Sequence, residues 1–182
     1  MISSRWLVWI FLALALVKTL LSFFVVSPTI FGDEHEYAKL AWSIFYHGEL
    51  SVNNIPASTY PPLYPLALSL AYVFRDMELV YIIMKIINAL LSSAIVFPMF
   101  FLLREFFGER IARYGALLTG LAPFSLATSS YIMSENLFAP LFLASVYFLF
   151  MSFLHRKKRH VILAGAFVGL TILTRVIGFV LL

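Results

Sequence analysis

The sequence predicts an all-α polytopic membrane protein with about five transmembrane helices and amphipathic surface helices in its first external loop. Three observations carry that fold class. Of 182 residues, 62% are hydrophobic and only 12% charged, and the mean hydropathy is +0.95, well outside the composition of a water-soluble domain. The apolar residues fall in runs close to the roughly 20 that a helix needs to cross a bilayer core of about 30 Å. Finally, the hydrophilic segments differ in sign, acid-rich after the first run and basic after the second and fourth, as expected when alternate connections face opposite sides of a membrane. The lack of cysteine excludes disulfides and thiolate metal sites.

The first run, 6–26, follows Arg5 and is too long for the core of a cleavable signal; Ser27-Pro28 after it is a poor cleavage site. It is expected to be a signal anchor with a cytoplasmic N-terminus. Residues 27–78 carry Asp33, Glu34, Glu36, Glu49, Asp76 and Glu78 against Lys39 and Arg75, an acid excess that suits an external loop. The second run, 79–103, is closed by Arg104, Arg110 and Arg113 and so returns inward. The third, 111–127, is short and holds Gly115, Gly120 and Pro123; the fourth, 137–154, ends at the basic cluster of residues 155–160; the fifth, 161–182, goes outward again. That last run has no polar flank, which predicts that residues 1–182 are a single membrane domain forming the N-terminal part of a larger protein. Residues 63–74 are apolar too, but twelve residues rise only about 18 Å as a helix. Counting them as a span would also place the later arginines outside, so they are expected to form a helix on or dipping into the outer membrane surface.

The external loop holds the residues of chemical interest. Asp33-Glu34-His35-Glu36-Tyr37 leads into Leu40, Ala41, Ile44 and Phe45, an apolar face at helical spacing that predicts a surface helix. Asp33 as N-cap with Glu36 three positions on would make a capping box, and Glu34 suits the helix dipole. An aspartate at the water–lipid boundary is also placed to act as a general base. His35 among these carboxylates leaves a divalent metal near Asp33 as an option, although adjacent helical residues point apart. Tyr60-Pro61-Pro62-Leu63-Tyr64-Pro65 fixes the backbone and sets tyrosines at the interface, either as an anchor or as part of a site. The second external connection brings Ser134 and Glu135 to the same side as Asp33.

Three cations lie inside apolar runs: Lys18, Lys85 and Arg175. At a rise of 1.5 Å per residue they sit roughly 12, 9 and 10 Å below the outer ends of their spans. Lys18 is expected to snorkel to the outer headgroups. Lys85 and Arg175 are expected to bind phosphate, because a lipid-linked phosphate would sit at that depth. No acid lies at mid-bilayer, where a proton-coupled transporter would need one.

In these residues the chain resembles the C-type glycosyltransferase superfamily, in particular its protein O-mannosyltransferase-like and aminoarabinose-transferase-like branch. Gly32-Asp33-Glu34 with Tyr37-Ala38 resembles the acidic motif that opens the first external loop, and Tyr60 to Pro65 resembles the Pro-Pro-Leu element lining the site. Lys85 with Asn88 is similar to a basic-x-x-Asn element, Glu135 falls where relatives carry an acid between spans three and four, and Gly165 to Arg175 is similar to the fifth-span signature ending in Leu-Thr-Arg. The resemblance implies a catalytic acidic pair, Asp33 with Glu34, in which Asp33 is the base, and a substrate-binding set of Tyr37, Tyr60, Pro61, Pro62, Tyr64, Lys85, Asn88, Glu135 and Arg175. Tyr60 stands where aminoarabinose transferases carry lysine, which argues against that sugar in particular.

The expected function is therefore transfer of a sugar, with inversion, from a polyprenyl-phosphate donor to an acceptor hydroxyl on a protein, lipid or glycan at the external face of the cell membrane. Membrane lipids are partners and nucleic acid is not; no cofactor beyond the optional metal is implied, and no nucleotide-binding loop is visible. Two other classes fit parts of the pattern. A transporter or flippase for a lipid-linked substrate would reuse the cationic layer without a base, and a noncatalytic membrane scaffold would use the acids only as caps.

Overall fold

A computed structural model describes residues 5–29, 32–53, 55–57 and 59–182. They form a helical bundle in the order α1 (Arg5–Ser22), α2 (Gly32–His47), a two-strand hairpin of β1 (Ser51–Val52) and β2 (Ile55–Pro56), α3 (Leu63–Ser69) continued as a 3-10 turn (Leu70–Val73), α4 (Met77–Ser93), α5 (Val96–Gly120), α6 (Pro123–Ser129), α7 (Glu135–His155), α8 (Lys158–Ile172) and a closing 3-10 segment (Val176–Leu181). The all-α membrane class is as the sequence predicts. Among the described residues three stretches are long and apolar enough to cross a bilayer: Arg5–Ser22, Met77–Gly120 and Glu135–His155.

The 44-residue stretch would measure about 66 Å if straight, twice the bilayer core. It is instead folded at Gly108, whose φ of 75° and ψ of 176° are non-helical. A Cβ on Gly115 would lie 2.2 Å from Leu103, and one on Gly120 would lie 3.3 Å from Val96. Residue pairs centred on 108–109 therefore meet side by side, and 96–107 and 109–120 are antiparallel arms. Helix α1 lies against both: Trp6 packs edge-on against Phe100 at 5.0 Å, and Leu14 touches Gly120. Leu7, Leu14, Val96, Phe100, Ala112 and Ala116 bury this seam.

The helix ends depart from the predicted spans for local reasons. In the run expected as 79–103 the helix bends at Ala94–Ile95, because Pro98 has no N–H for the Ala94 carbonyl, which accepts from Phe97 instead. In 111–127 the chain leaves the helix at Leu121–Ala122; Ala122 is forced extended (φ −53°, ψ 137°) by the following Pro123, which opens α6. In 161–182 the helix stops at Ile172, and Arg175 is extended. The closing segment then doubles back so tightly that a Cβ on Gly178 would sit 2.9 Å from the Ile172 nitrogen. The fifth run is thus a 15-residue helix and a returning turn, not one rod.

Helices α2 and α3 are roofed by protein. Leu40 and Ala41 of α2 are fully buried where α2 packs on α3, and Tyr72 donates to the Ala38 carbonyl at 2.8 Å. Their core joins Tyr37, Tyr64, Leu68, Val80, Met84 and Ile132. Outward, Leu66, Leu70 and Val73 stay exposed, so α3 has the two-faced character expected of residues 63–74. Because α2 begins at Gly32, Asp33 lies inside the first turn, not at the cap of a capping box.

Candidate active site

The cleft assembled by these elements has a volume of about 730 Å³, and it gathers residues from four distant parts of the chain. Asp33 and Tyr37 come from the first turns of α2, Thr59, Tyr60 and Pro61 from the proline-rich segment, Glu135 from the start of α7, and Arg175 from the break after α8. A backbone bond fixes two of these parts to each other: the Leu63 N–H donates to the Leu173 carbonyl at 3.0 Å. Below the polar mouth the walls are apolar, with Phe124 of α6, Phe138, Ala139, Phe142 and Leu143 of α7, and Val176 and Ile177 of the closing segment.

On one lip the Tyr60 hydroxyl donates to Asp33 Oδ1 at 3.0 Å. Burial, followed by that bond, pushes the Tyr60 phenol up to about 12, so it stays protonated and keeps donating at neutral pH. Asp33 itself remains exposed. Tyr37 sits behind them, edge-on to Tyr60 at 5.2 Å and to Tyr64 at 4.8 Å, and donates to Ser134 Oγ at 2.9 Å. Burial raises the Tyr37 phenol as well, while the fields of Arg175, Asp33 and Glu135 all reach it. On the other lip Arg175 forms an ion pair with Glu135, and its guanidinium lies 6.0 Å from the centre of the Phe138 ring. The pair is partly open to solvent, and a planar guanidinium held on one edge by a carboxylate keeps other donors for an anion.

Several residues expected in the site are elsewhere. Glu34 follows Asp33 by one position and therefore points away from it on the helix. It is fully buried, accepting from the Ile132 N–H at 2.7 Å and from the Thr29 N–H at 2.6 Å and hydroxyl. Its place is structural, tying α2 to the connection before α7. Lys85 donates to the Ser22 carbonyl at 3.1 Å and to that of Val25, serving the carbonyls that the end of α1 leaves without helical partners. Asn88 accepts from Tyr64 at 2.8 Å and donates to the Tyr131 carbonyl at 3.0 Å, so Tyr64 and Asn88 brace the core beneath the cleft. Pro62 precedes α3 and does not line the cleft. Lys18 does not snorkel: it is fully buried and donates at 2.8 Å to both Ser92 and Ser125, because α1 lies against α4 and α6 and its lysine has protein on every side.

His35 is exposed, and among the described residues no three His, Asp or Glu side chains converge. Glu135 is engaged by Arg175. The apolar wall was missed in the sequence. Glu135, Phe138 and Phe142 stand at i, i+3 and i+7 of α7, a one-face spacing that would have marked the aromatics as neighbours of the acid.

The family model for dolichyl-phosphate-mannose-protein mannosyltransferases matches residues 59–182 of this chain. No curated protein and no solved structure matches it. The matched region takes in the proline-rich segment, α4 to α8 and Arg175, and begins after the helix that carries Asp33.

Proposed function

From the premise that this chain belongs to the dolichyl-phosphate-mannose-protein mannosyltransferase family, we propose that its cleft transfers a sugar from a polyprenyl-phosphate donor to an acceptor hydroxyl, with Asp33 as the base, at the external face of the membrane. Membership makes the chain a membrane glycosyltransferase by family. The single observation that supports the finer reading is the two-part character of the cleft, a mouth with a carboxylate on one lip and a guanidinium on the other over a wall of aromatic and aliphatic side chains. That is the shape of an amphiphile whose polar head carries a phosphate and whose tail is hydrocarbon.

In this reading the lipid tail lies along Phe138, Phe142 and Leu143 and continues into the bilayer. The phosphate rests against Arg175, which offsets the charge that grows on the phosphate oxygen as the glycosidic bond breaks. Asp33 accepts the proton of the acceptor hydroxyl as that oxygen forms its bond to the anomeric carbon. Tyr60 orients the Asp33 carboxylate through one oxygen and leaves the other toward the mouth, and the half-buried Tyr60 ring, backed by Tyr37, offers a face on which a sugar ring stacks. Glu135 aims Arg175 and limits its reach. The acceptor enters from the aqueous side, where Asp33 is open.

The test is transfer from a panel of labelled polyprenyl-phosphate sugars in membranes holding the whole protein or its Asp33→Asn variant. The variant is expected to insert and fold normally and to lose activity by about 10²- to 10⁴-fold, the usual worth of a general base. Equal transfer would remove Asp33 from the chemistry, and no transfer by the parent from any donor would favour a transporter.

A further inference from the structure

A second groove lies at the opposite end of the bundle from the sugar cleft, between α1 and the 109–120 arm of α5. It measures about 650 Å³ and is lined by the charged Glu109, Arg110 and Arg113 and by the apolar Trp6, Ile10 and Leu117. Arg110 and Arg113 supply its cations. The Arg113 guanidinium lies 5.2 Å from the centre of the Trp6 ring and pairs with Glu109. Ile10 is one turn along α1 from Trp6, and Leu117 one turn along α5 from Arg113, so the two walls turn apolar together on moving inward along the bundle.

We propose that this groove binds one anionic phospholipid, with the phosphodiester on the arginines and an acyl chain along Ile10 and Leu117. Two guanidiniums against the single carboxylate of Glu109 leave one net positive charge, which a phosphodiester with no cationic headgroup neutralises. A choline headgroup would bring a second cation beside Arg110. Guanidinium groups bind phosphate oxygens through paired N–H donors. Trp6, with the guanidinium on its face, is the kind of side chain that settles at headgroup depth. A soluble anion would leave the apolar wall bare, whereas a lipid covers it. Basic pockets between membrane helices are a recurrent way of holding such headgroups.

The chain has three tryptophans, so Trp9→Phe with Trp42→Phe leaves Trp6 as the reporter. Its fluorescence is followed in lipid nanodiscs containing rising fractions of phosphatidylglycerol or phosphatidylcholine with brominated chains. Saturable quenching is expected at low fractions of the anionic lipid and not of the zwitterionic one. Arg110→Gln with Arg113→Gln is expected to weaken it by about tenfold. Should that pair fail to fold, Arg110→Gln alone keeps the Arg113–Glu109 contact and is expected to weaken quenching by several-fold. Lys158→Gln, at the same end of the bundle but outside the groove, is expected to leave it unchanged. Equal quenching by both lipids, no effect of the arginine substitutions, an equal effect of Lys158→Gln, or displacement by inorganic phosphate at constant ionic strength would each overturn the proposal.

Discussion

At Lys18 the bundle holds a cation in its interior with two serine hydroxyls and no acid among its bonded partners. Ser92 and Ser125 are themselves only 3.4 Å apart, so they can bond each other if the ammonium is removed. Replacing a buried charge by an apolar group of similar shape is often neutral or better, while removing its partners leaves it unsatisfied. Lys18→Met is therefore expected to change stability by less than about 1 kcal/mol, and Ser92→Ala with Ser125→Ala to cost about 1–3 kcal/mol. Unfolding in mixed micelles checks both, and the reverse order would refute the account. Tyr60 gives a pH test. Its phenol is raised from 10.0 to about 12, so its hold on Asp33 is complete below pH 10 and lost as pH rises through about 12. The ultraviolet difference between the parent and Tyr60→Phe during alkaline titration should show its ionisation at the upper value; a step near 10 would mean that Tyr60 is neither buried nor bonded to Asp33. At this scale the sequence was legible in the placing of Asp33, Tyr60, Glu135 and Arg175 about one cleft, to which the family-like motifs pointed. It was not legible for Lys18 and Lys85, whose partners are 74 and 107 residues away in one case and 63 and 60 in the other.

Among the elements, two glycines test different physics. Gly108 has open space around it but a backbone conformation that side-chain-bearing residues avoid, so Gly108→Ala carries a conformational cost of about 1–3 kcal/mol. Gly178 has an ordinary backbone but no room, since an added Cβ would meet the Thr171 carbonyl carbon at 2.9 Å as well as Ile172. Gly178→Ala is expected to cost about 1–3 kcal/mol through overpacking and also to loosen Arg175, three residues earlier, so that transfer falls with it. Gly108→Ala should lower stability without that selective loss. Stability and transfer measured on both variants separate the two mechanisms, and the same activity-to-stability ratio in both would contradict the distinction. The helices were readable from their apolar runs, and Pro98 and Pro123 mark their interruptions in the sequence. The return of the chain after Ile172 was not readable, because Gly178 is small for the sake of a backbone six residues behind it.

Over the whole molecule charge is sorted by end. Arg5, Arg104, Arg110, Arg113 and residues 156–159 gather where Phe106 meets Phe150 at 4.8 Å, whereas Asp33, Glu34 and Glu135 lie at the end where Lys85 reaches α1. By the positive-inside rule the cleft is expected to face outward. Because the chain lacks cysteine, His47→Cys and Lys157→Cys report this directly. An impermeant maleimide is expected to label the first in intact cells and the second only after permeabilisation, and the opposite pattern would invert the topology. One last consequence comes from the bond between Leu63 N–H and the Leu173 carbonyl. During synthesis the Asp33 lip has its brace as soon as Ile132 exists, since Glu34 needs nothing later. The Arg175 lip needs the end of α8 to return to a segment made more than a hundred residues earlier. The nascent chain therefore holds Asp33 in place, facing an unfinished wall, until α8 has been made, and Arg175 joins the cleft only as the chain after α8 returns to the proline-rich segment.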